Sequence, residues 1–437
     1  VYKRQLFYGR RGYRPAWVLQ PSLEAAEALI RALRVADLDG LRTTDYHADQ
    51  IEMLLDTVKV NRLCAISNDL ETLADLDMLL TDAFLLLGSH LMAGRVNPET
   101  IHTEWTVTNP EANLFQVLET AISFGQIESV LDSLRPPHYG YRALKSALNR
   151  YREIASFGGW PFHDSRLPWQ KGDFGEHISR LKDHLRSTGD IGARVVADGP
   201  SSLFDDVLES GIKKFQSRHG LPVSGTLDEA TLAALNVPVE ARIRQIELNL
   251  ERWRWIPHDL GSTHILVNVA DFKLTVVEAD QPKWSMRVVV GRDYRRTPVF
   301  SADLKYLVIN PYWNIPRKIA VEDILPKARR DPEYLVKKKI RVFENWDTNA
   351  REIDPHVVDW SKITKRNFAF KLRKDPGPFN DLGRIKFMLP NKYAVYLHDT
   401  PSRKLFARTT RLFSSGCIRL EKPIDLADYL LKGDPNW

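Results

Sequence analysis

A cysteine and a histidine near the C-terminus have the residue types and surroundings of an activated thiol. His398 ends an apolar, strand-like run, and Cys417 follows nineteen residues later in a polar turn that contains Gly416. A free cysteine titrates near ~8.5, so only a few per cent is thiolate at neutral pH. An imidazole within hydrogen-bonding reach can remove the thiol proton and later protonate a leaving amine. The pair predicts covalent acyl transfer, with the backbone N–H groups of Gly416 and Cys417 as oxyanion donors.

The residues around this pair decide between catalysis and packing, because a lone cysteine is more often a small buried hydrophobic residue. The runs Tyr396–Pro401 and Ser414–Leu420 resemble the signature of the L,D-transpeptidases, the YkuD-type catalytic domain. In that family a strand-end His is followed by a Ser-x-Gly-Cys turn, a hydrophobic residue and Arg or Asn. Ser415 stands where many members have a second His. This departure leaves His398 as the base candidate within the motif.

The resemblance also implies roles for the neighbouring side chains. Asp399 is expected to orient His398, through either its side chain or its backbone carbonyl. For Tyr396 and for Trp313 two roles stay open, which are contact with the substrate and packing within the fold. Arg419 either pairs with a substrate carboxylate or braces the loop, and the brace is favoured. The substrate-binding residues implied in this way are Trp313, Tyr396, Ser414, Ser415 and Arg419.

Length and composition indicate a multidomain globular protein, and the lack of ligand-binding motifs predicts no cofactor. The 437 residues are enough for two or three domains, and 43% apolar with 27% charged residues is ordinary for a folded soluble chain. Two cysteines are too few for a disulfide scaffold or a zinc site, and we expect both thiols to be free. The sequence contains neither a metal-ligand cluster nor a Gly-rich phosphate loop, so it predicts no metal and no cofactor.

The sequence as given begins at Val1 and shows no signal-peptide pattern and no uninterrupted apolar run near twenty residues. Its densest apolar patch, Ala83–Leu87, is interpreted as core. The family resemblance implies an exported, periplasmic protein. We therefore expect a soluble part whose signal or membrane anchor lies upstream of the given sequence.

The N-terminal 172 residues are predicted to form a helical scaffold. Between residues 70 and 91, leucine and phenylalanine recur at three- and four-residue steps, which places them on one helix face. Further helices are predicted over residues 113–134 and 143–154. The histidines of this region are scattered without the spacing of a catalytic group.

Residues 173–237 are predicted to form a small three-helix module. Ile212–Leu221 is amphipathic and ends at Gly220, and Thr226–Glu229 has the pattern of a capping box. The module resembles the peptidoglycan-binding domain, although most of its motif residues are Gly turns and core Leu whose role is to hold the helices together. A linker helix is predicted over 238–259, where Arg252–Trp255 indicates a packing patch rather than a nucleic-acid site. The residues that match the module motif are Phe215, Gln216, His219, Gly220, Leu221, Gly225, Thr231 and Leu232.

Residues 260–437 switch to a β pattern that matches the L,D-transpeptidase resemblance. The segment 317–375 interrupts this pattern with helical sequence and holds 16 Lys and Arg against 10 Asp and Glu. In the longer, YcbB-like subgroup a substrate-capping subdomain occupies this place, and the alternative is a solvated helical outgrowth. The predicted strands are His264–Val269, Phe272–Val277, Trp284–Val290, Tyr306–Ile309 and Lys392–Leu397.

The sequence therefore predicts a multidomain α+β protein with a helical scaffold, a three-helix peptidoglycan-binding module and a mostly-β catalytic domain that carries a helical capping insertion. The resemblance implies 3→3 cross-linking of peptidoglycan stem peptides with release of D-Ala. It also implies glycan as a partner and carbapenem-type β-lactams as covalent inhibitors, and no nucleic acid. Hydrolysis of the same thioester by an L,D-carboxypeptidase, or a non-catalytic wall-binding scaffold, are the alternatives.

Overall fold

The structure is a computed structural model in two compact units, Val1–Leu260 and Gly261–Trp437. The first unit is helical and the second carries the β-sheets. The structure describes residues 2–19, 23–64, 66–67, 69–101, 107, 112–164, 169–192, 201–331 and 333–435.

The scaffold of the first unit is built around one long apolar helix. This helix, α4 (Leu70–Ala93), has the length and composition to cross a membrane, but most of its apolar stretch is buried inside the fold. Its buried stripe includes Leu76, Leu80 and Phe84, as the helical spacing predicts. The other scaffold helices are α1 (Tyr2–Arg10), α2 (Glu24–Arg34), α3 (Ala48–Leu63), α5 (Pro98–Ile101), α6 (Leu114–Phe124), α7 (Ile127–Ser133) and α8 (Tyr139–Ser156).

The helical structure predicted over 113–134 is confirmed, and it consists of two helices because the chain breaks between α6 and α7. Gly125 adopts a left-handed conformation with φ of 64° and ends α6. Glycine pays no steric penalty at positive φ, so it is the usual residue just after a helix.

A buried polar cluster joins the scaffold to the linker helix α12 (Val239–Arg254). The Asp39 carboxylate is fully buried and accepts hydrogen bonds from Arg135 and Tyr141. Arg254, 1% exposed, donates to the Asp39 carbonyl and to the Tyr141 hydroxyl. Trp255 is also buried. The packing role predicted for Arg252–Trp255 is confirmed for these last two residues.

The three-helix module consists of α9 (Glu176–Ser187), α10 (Asp206–Arg218) and α11 (Glu229–Leu235). Its core extends to Trp169, which pairs with Leu227, so the module begins a few residues earlier than predicted. The N-cap of α11 is Asp228, whose side chain accepts from the Thr231 N–H. The predicted cap at Thr226 was therefore two residues too early.

Gln216 shows that the module motif is mainly structural. This side chain is fully buried, and its amide nitrogen donates to the Thr226 carbonyl and the Thr231 hydroxyl. Its amide oxygen accepts from the Gly225 N–H at 2.9 Å. One side chain thus satisfies the backbone of the turn that leads into α11. The prediction that the motif residues hold the helices together is confirmed for Gln216.

Replacing Gln216 by leucine should loosen the module without much change in side-chain volume. The buried Gly225 N–H would be left without a partner, which typically costs ~1–3 kcal/mol. We expect hydrogen exchange of residues 206–235 to accelerate at least tenfold in the full chain, while Ser217→Ala, an exposed change on the same helix, has little effect. Unchanged exchange in Gln216→Leu would show that other contacts carry the turn.

The second unit is organised around a mixed sheet. In spatial order its strands are β1 (Thr263–Asn268), β2 (Lys273–Glu278), β3 (Gln281–Gly291), β12 (Ile418–Leu420), β10 (Leu397–His398), β9 (Ile385–Met388) and β4 (Tyr306–Ile309), and β11 (Leu412–Ser414) pairs with β3.

The core of this sheet lies on one face of the central strands. Val288 and Val290 of β3 are buried with Phe387 of β9 and Leu420 of β12, and helix α16 (Pro423–Leu431) packs against the same cluster through Leu426. Each such side chain contributes ~1.5–3 kcal/mol when it is fully buried. This packing fixes the positions of the strand ends that carry the candidate site.

The strand predicted over Lys392–Leu397 is mostly wrong. Residues Lys392 and Tyr393 form a turn, Ala394 has a positive φ of 54°, and regular pairing begins only at Leu397. A left-handed alanine costs roughly 1–2 kcal/mol and cannot belong to a strand. The apolar and aromatic residues of this run fill the core and the site rather than forming a ladder.

The insertion is a small folded body with its own core rather than a solvated outgrowth. Ile315, Leu335, Val342 and Leu372 are fully buried within it. The insertion contains the predicted helical parts and, in addition, a second sheet whose strands are too short to show a clear alternation in the sequence. Its strands are β5 (Trp313–Ile315), β8 (Lys371–Lys374), β6 (Arg341–Phe343) and β7 (Glu352–Ile353) in spatial order, and its helical parts are α13 (Arg317–Ile319), a π-turn (Ala320–Ile324), α14 (Leu325–Arg330) and α15 (Tyr334–Lys337).

Candidate active site

Parallel pairing of two short strands brings the two chemical residues together. Strand β10 pairs with β12 so that Leu397 faces Ile418 and His398 faces Arg419. The Ile418 N–H donates to the Tyr396 carbonyl at 3.1 Å, which extends the same register by one residue. Cys417 therefore lies beside Tyr396, two residues along from His398. Residues far apart in the motif meet because both strands begin at the same level of the sheet.

The His398 ring is held in one tautomer. Its Nδ1–H donates to the Asp399 carbonyl at 2.5 Å, and the side chain is only 4% exposed. Of the two orienting modes predicted for Asp399, the structure shows the backbone carbonyl. The Asp399 carboxylate instead accepts from the Arg384 N–H at 2.9 Å. In the neutral imidazole Nε2 then carries the lone pair that a general base needs.

Gly383 lies against the Asp399 side chain at a position that only glycine fits. Its φ is 61°, and a Cβ on it would lie 2.3 Å from the Asp399 carboxylate. A larger residue would push the carboxylate away from the Arg384 N–H and disturb the loop that follows His398. Gly383 is thus a packing requirement behind the histidine.

The Cys417 thiol is partly buried and faces the turn before β10. It donates to the Ala394 carbonyl with an Sγ–O distance of 3.9 Å. The Tyr396 hydroxyl and backbone N–H lie within hydrogen-bonding reach of the sulfur. Within the described residues the thiol forms no hydrogen bond to His398, and such contacts are often long without substrate. The other cysteine, Cys64, is exposed, and both thiols are free as predicted.

Trp313 and Tyr396 belong to the surroundings of the thiol. The half-buried Trp313 packs against the core of the insertion, and its indole interacts with the Tyr396 hydroxyl. The Tyr396 and His398 rings lie 5.6 Å apart between centroids. Both aromatic residues therefore contact the site and the fold at once, so the two alternatives left open for them are not exclusive.

Ser414 shapes the loop that carries Cys417. Its hydroxyl donates to the Cys417 carbonyl at 2.5 Å and accepts from the Gly416 N–H at 3.1 Å, and the residue is 2% exposed. The substrate contact predicted for Ser414 is therefore wrong in this arrangement, because the side chain is buried and both its hydrogen bonds are internal. Gly416 adopts a φ of 118°, which a side chain would disfavour.

The oxyanion donors differ from the prediction. The Gly416 N–H is occupied by Ser414, whereas the Cys417 N–H forms no hydrogen bond within the described part of the chain. The Cys417 N–H is the better candidate, and Gly416 acts by allowing the loop conformation.

The segment after β3 supports this loop from below. The Thr297 hydroxyl donates to the Gly416 carbonyl at 2.8 Å and accepts from the Gly291 N–H at 2.9 Å. A Cβ on Gly291 would lie 2.1 Å from the Arg295 carbonyl, so only glycine fits. Gly291 and Thr297 together hold the Gly416 carbonyl in place through these two hydrogen bonds.

Arg295 is a functional candidate that sequence reasoning missed. Its guanidinium is 6% exposed, pairs with Asp323 and Glu322 of the insertion, and donates to the Ser415 hydroxyl at 3.1 Å. It therefore joins the insertion to the loop of Cys417. The sequence offered no signal, since Arg295 is one of several basic residues in this stretch. Ser415, predicted to bind substrate, is the acceptor for Arg295 in this structure.

The electrostatic environment keeps both reacting groups neutral. Burial, followed by the nearby Arg419 charge, lowers the pKa of His398 to about 3, against the opposing effect of the Asp399 carbonyl. Burial raises the pKa of the Cys417 thiol, although Tyr396, Lys386 and Arg419 oppose that rise. The resting pair is a thiol and an imidazole, not an ion pair. The arrangement suits proton transfer that accompanies attack on a carbonyl.

The second unit is thus a sheet domain in which a cysteine and a histidine lie where the parallel strands β10 and β12 adjoin. Residues 262–436 match the family described as "L,D-transpeptidase catalytic domain" (YkuD). Residues 175–235 match the "Putative peptidoglycan binding domain" and residues 3–148 match the "Scaffold domain". The chain therefore carries the catalytic domain of the L,D-transpeptidase family together with a peptidoglycan-binding domain, which confirms the resemblance seen in the sequence.

A curated relative supports this assignment over part of the chain. A protein of Haemophilus influenzae named "Putative L,D-transpeptidase" is 39% identical over 199 residues. The alignment covers 45% of this chain and 39% of the relative. The chain thus spans about two-fifths of the length of the relative it matches.

Arg295→Gln should loosen two segments that are distant in sequence. Losing the guanidinium leaves Asp323 and Glu322 without their shared partner and Ser415 without its donor. We expect faster hydrogen exchange both in residues 320–325 and in residues 412–418, with residues 385–388 unchanged. The matched control is Arg296→Gln, because Arg296 is exposed. A change confined to the insertion would contradict the proposed link.

The His398 imidazole should not titrate in the physiological range. An unfolded histidine titrates near ~6.5, so with a folded pKa of about 3 the folded state binds fewer protons and loses stability as pH falls between these values. We expect the ¹³Cε1 resonance of His398, assigned by its absence in His398→Gln, to stay constant from pH 8 to pH 5. A titration midpoint near 6.5 would refute the neutral resting pair.

Proposed function

We propose that this protein is a peptidoglycan L,D-transpeptidase that forms 3→3 cross-links through a thioester on Cys417. The observation that supports this most is the parallel pairing of β10 with β12, which sets a tautomer-fixed His398 beside the loop of Cys417. The family match of residues 262–436 supports the reaction class. The donor is a tetrapeptide stem whose third residue, a diamino acid, is joined to a terminal D-Ala.

Acylation of the enzyme begins with proton transfer. As the Cys417 sulfur forms a bond to the carbonyl carbon of the third residue, its proton passes to Nε2 of His398. The tetrahedral intermediate collapses when the C–N bond breaks and His398 returns this proton to the departing amine. D-Ala leaves, and a thioester between Cys417 and the stem remains.

The negative oxygen of the tetrahedral intermediate needs hydrogen-bond donors. The Cys417 N–H and the Tyr396 hydroxyl are the donors that the geometry favours. One such donor usually contributes ~3–4 kcal/mol to the barrier. The pKa of Tyr396 is raised, mainly by burial, so its hydroxyl stays protonated and can donate.

The second half of the reaction uses an amine. The side-chain amine of another stem attacks the thioester carbon, gives up a proton to His398, and displaces the Cys417 sulfur, which takes that proton back. Water in place of the amine would give a tripeptide and make the enzyme an L,D-carboxypeptidase.

The remaining domains fit a protein that works on the cell wall. The module of residues 175–235 supports contact with peptidoglycan glycan. The insertion carries the basic excess of the chain, which favours the acidic stem peptides. These properties support an exported, periplasmic location and an upstream signal or anchor. A strained carbapenem lactam presents the same kind of carbonyl to Cys417 and should acylate it.

The proposal is tested with disaccharide-tetrapeptide and mass spectrometry of the products. We expect the wild type to release D-Ala and form cross-linked dimers, and Cys417→Ala to form none. Cys64→Ser is the matched control, because it removes the other thiol and should leave the products unchanged. His398→Gln should slow the reaction by roughly 10²–10⁴-fold, as for loss of a general base.

The products distinguish the alternatives. Trimmed tripeptide without dimer would identify a carboxypeptidase, and wild-type products that match those of Cys417→Ala would indicate a non-catalytic wall-binding scaffold. A stoichiometric carbapenem adduct on the wild type and on Cys64→Ser, absent from Cys417→Ala, is expected in parallel.

A further inference from the structure

Three basic side chains form one row across the sheet at the candidate site. His398 of β10 is the register partner of Lys386 in antiparallel β9 and of Arg419 in parallel β12. Side chains of directly paired residues point to the same face of a sheet. Lys386 and Arg419 therefore flank His398 on the face that the site uses. Lys386 lies in a run, Leu382–Phe387, that resembles a family element, but the sequence assigned it no role.

Lys386 lies over the aromatic ring next to the thiol. Its Nζ is 3.9 Å from the centroid of Tyr396, whose hydroxyl reaches the Cys417 sulfur. The side chain is half-buried. Among the residues that the structure describes, Lys386 forms no ion pair with a carboxylate. The groups that interact electrostatically with Lys386 among the described residues are the Tyr396 ring, the Cys417 sulfur and the His398 imidazole.

Arg419, on the other side of His398, also lacks an ion pair with a carboxylate of the described residues. Its Nε is buried and has no hydrogen-bond partner, and the guanidinium makes no ion pair within the described residues. The carboxylate that influences its charge, Asp381, is paired with Lys374 at 2.6 Å. Among the described residues Arg419 donates no hydrogen bond to the loop, so of the two predicted roles the geometry favours pairing with a substrate carboxylate.

The other carboxylates of this region are also engaged. Asp399 accepts from the Arg384 N–H, and Glu421 pairs with Arg287. Lys386 and Arg419 are thus two partly buried charges without a counter-charge in the described part of the chain, which is unfavourable because burial removes their water. A bound anion would satisfy both. A carboxylate suits such a site because it has two oxygens and can accept from two donors.

We propose that Lys386 and Arg419 form a carboxylate-binding site that receives the C-terminal carboxylate of the donor stem. This inference rests on the proposed function. The row lies beside Cys417, and in a stem peptide the terminal carboxylate is separated from the attacked carbonyl carbon by only the nitrogen and Cα of the leaving residue. Binding that carboxylate makes the enzyme select stems that end one residue after the scissile bond.

The positive row is tested without any stem peptide by a pair of alkylating reagents. Iodoacetate is an anion and iodoacetamide is its neutral analogue, so the ratio of their rates at Cys417 reports the local charge. Exposed Cys64 serves as the internal reference in the same sample. We expect Lys386→Met to lower the iodoacetate-to-iodoacetamide ratio at Cys417 about three- to tenfold, as removal of one nearby charge does, with no change at Cys64.

Two further variants make this result specific. Lys386→Arg keeps the charge and should keep the wild-type ratio. Lys392→Met removes an exposed lysine that lies over another tyrosine, Tyr393, at 5.2 Å, and should also leave the ratio unchanged. An equal ratio in wild type and Lys386→Met would overturn the carboxylate site.

The second test compares a tetrapeptide donor that ends in a free acid with the same donor ending in a carboxamide. We expect the wild type to prefer the acid at least tenfold in kcat/KM, mainly through KM, and Lys386→Met to lose most of this preference. If the wild type uses neither donor but the alkylation ratio depends on Lys386, the transpeptidase proposal fails and the anion site stands. If both donors react equally, the carboxylate site is wrong and transpeptidation stands.

Discussion

The two-residue parallel ladder between β10 and β12 is the constraint on which the candidate site depends. A parallel pair cannot be closed by a tight turn, so the chain must leave β10, cross over and return. The return path runs through β11, which pairs with β3, and through the Ser414–Cys417 loop. Both ends of the crossover are thereby fixed to the same sheet. The histidine and the cysteine inherit their separation from the backbone rather than from a hydrogen bond between them.

The surroundings of the thiol combine strain and charge. Ala394 and Gly416 both adopt positive φ, one on each side of the sulfur. Residues in such conformations persist only where neighbouring contacts over-determine them, and they cluster at functional sites. Here the contacts are the Thr297 and Ser414 hydroxyls below the loop and the Tyr396 ring beside it. Because His398 and Cys417 are both neutral at rest, the fixed positive charge of the row is available to an incoming anion.

Local pattern predicted the strand-end histidine, the cysteine turn and the division into domains, because those depend on residue type and short spacing. Local pattern did not predict the features that depend on the pairing register of distant strands or on the backbone conformation of a single residue. The Lys392–Leu397 run has the composition of a strand, yet a left-handed Ala394 prevents one. Lys386 was invisible because its importance comes from the register of β9 against β10, and Arg295 because its partners lie in a subdomain inserted later in the chain.

The departure at Ser415 acquires a physical meaning from Arg295. Many members of the family that the sequence resembles have a second His at this position, and its imidazole would add a titratable group beside the nucleophile loop. This chain has a small hydroxyl there, and a nearly buried guanidinium donates to it while pairing with the acidic residues of the insertion. The loop that carries Cys417 is thus tied to the body that would cover a bound stem. Because burial removes competing water, the Arg295 contacts are stronger here than they would be on an exposed surface. They couple the position of the nucleophile loop to that of the acidic residues of the insertion.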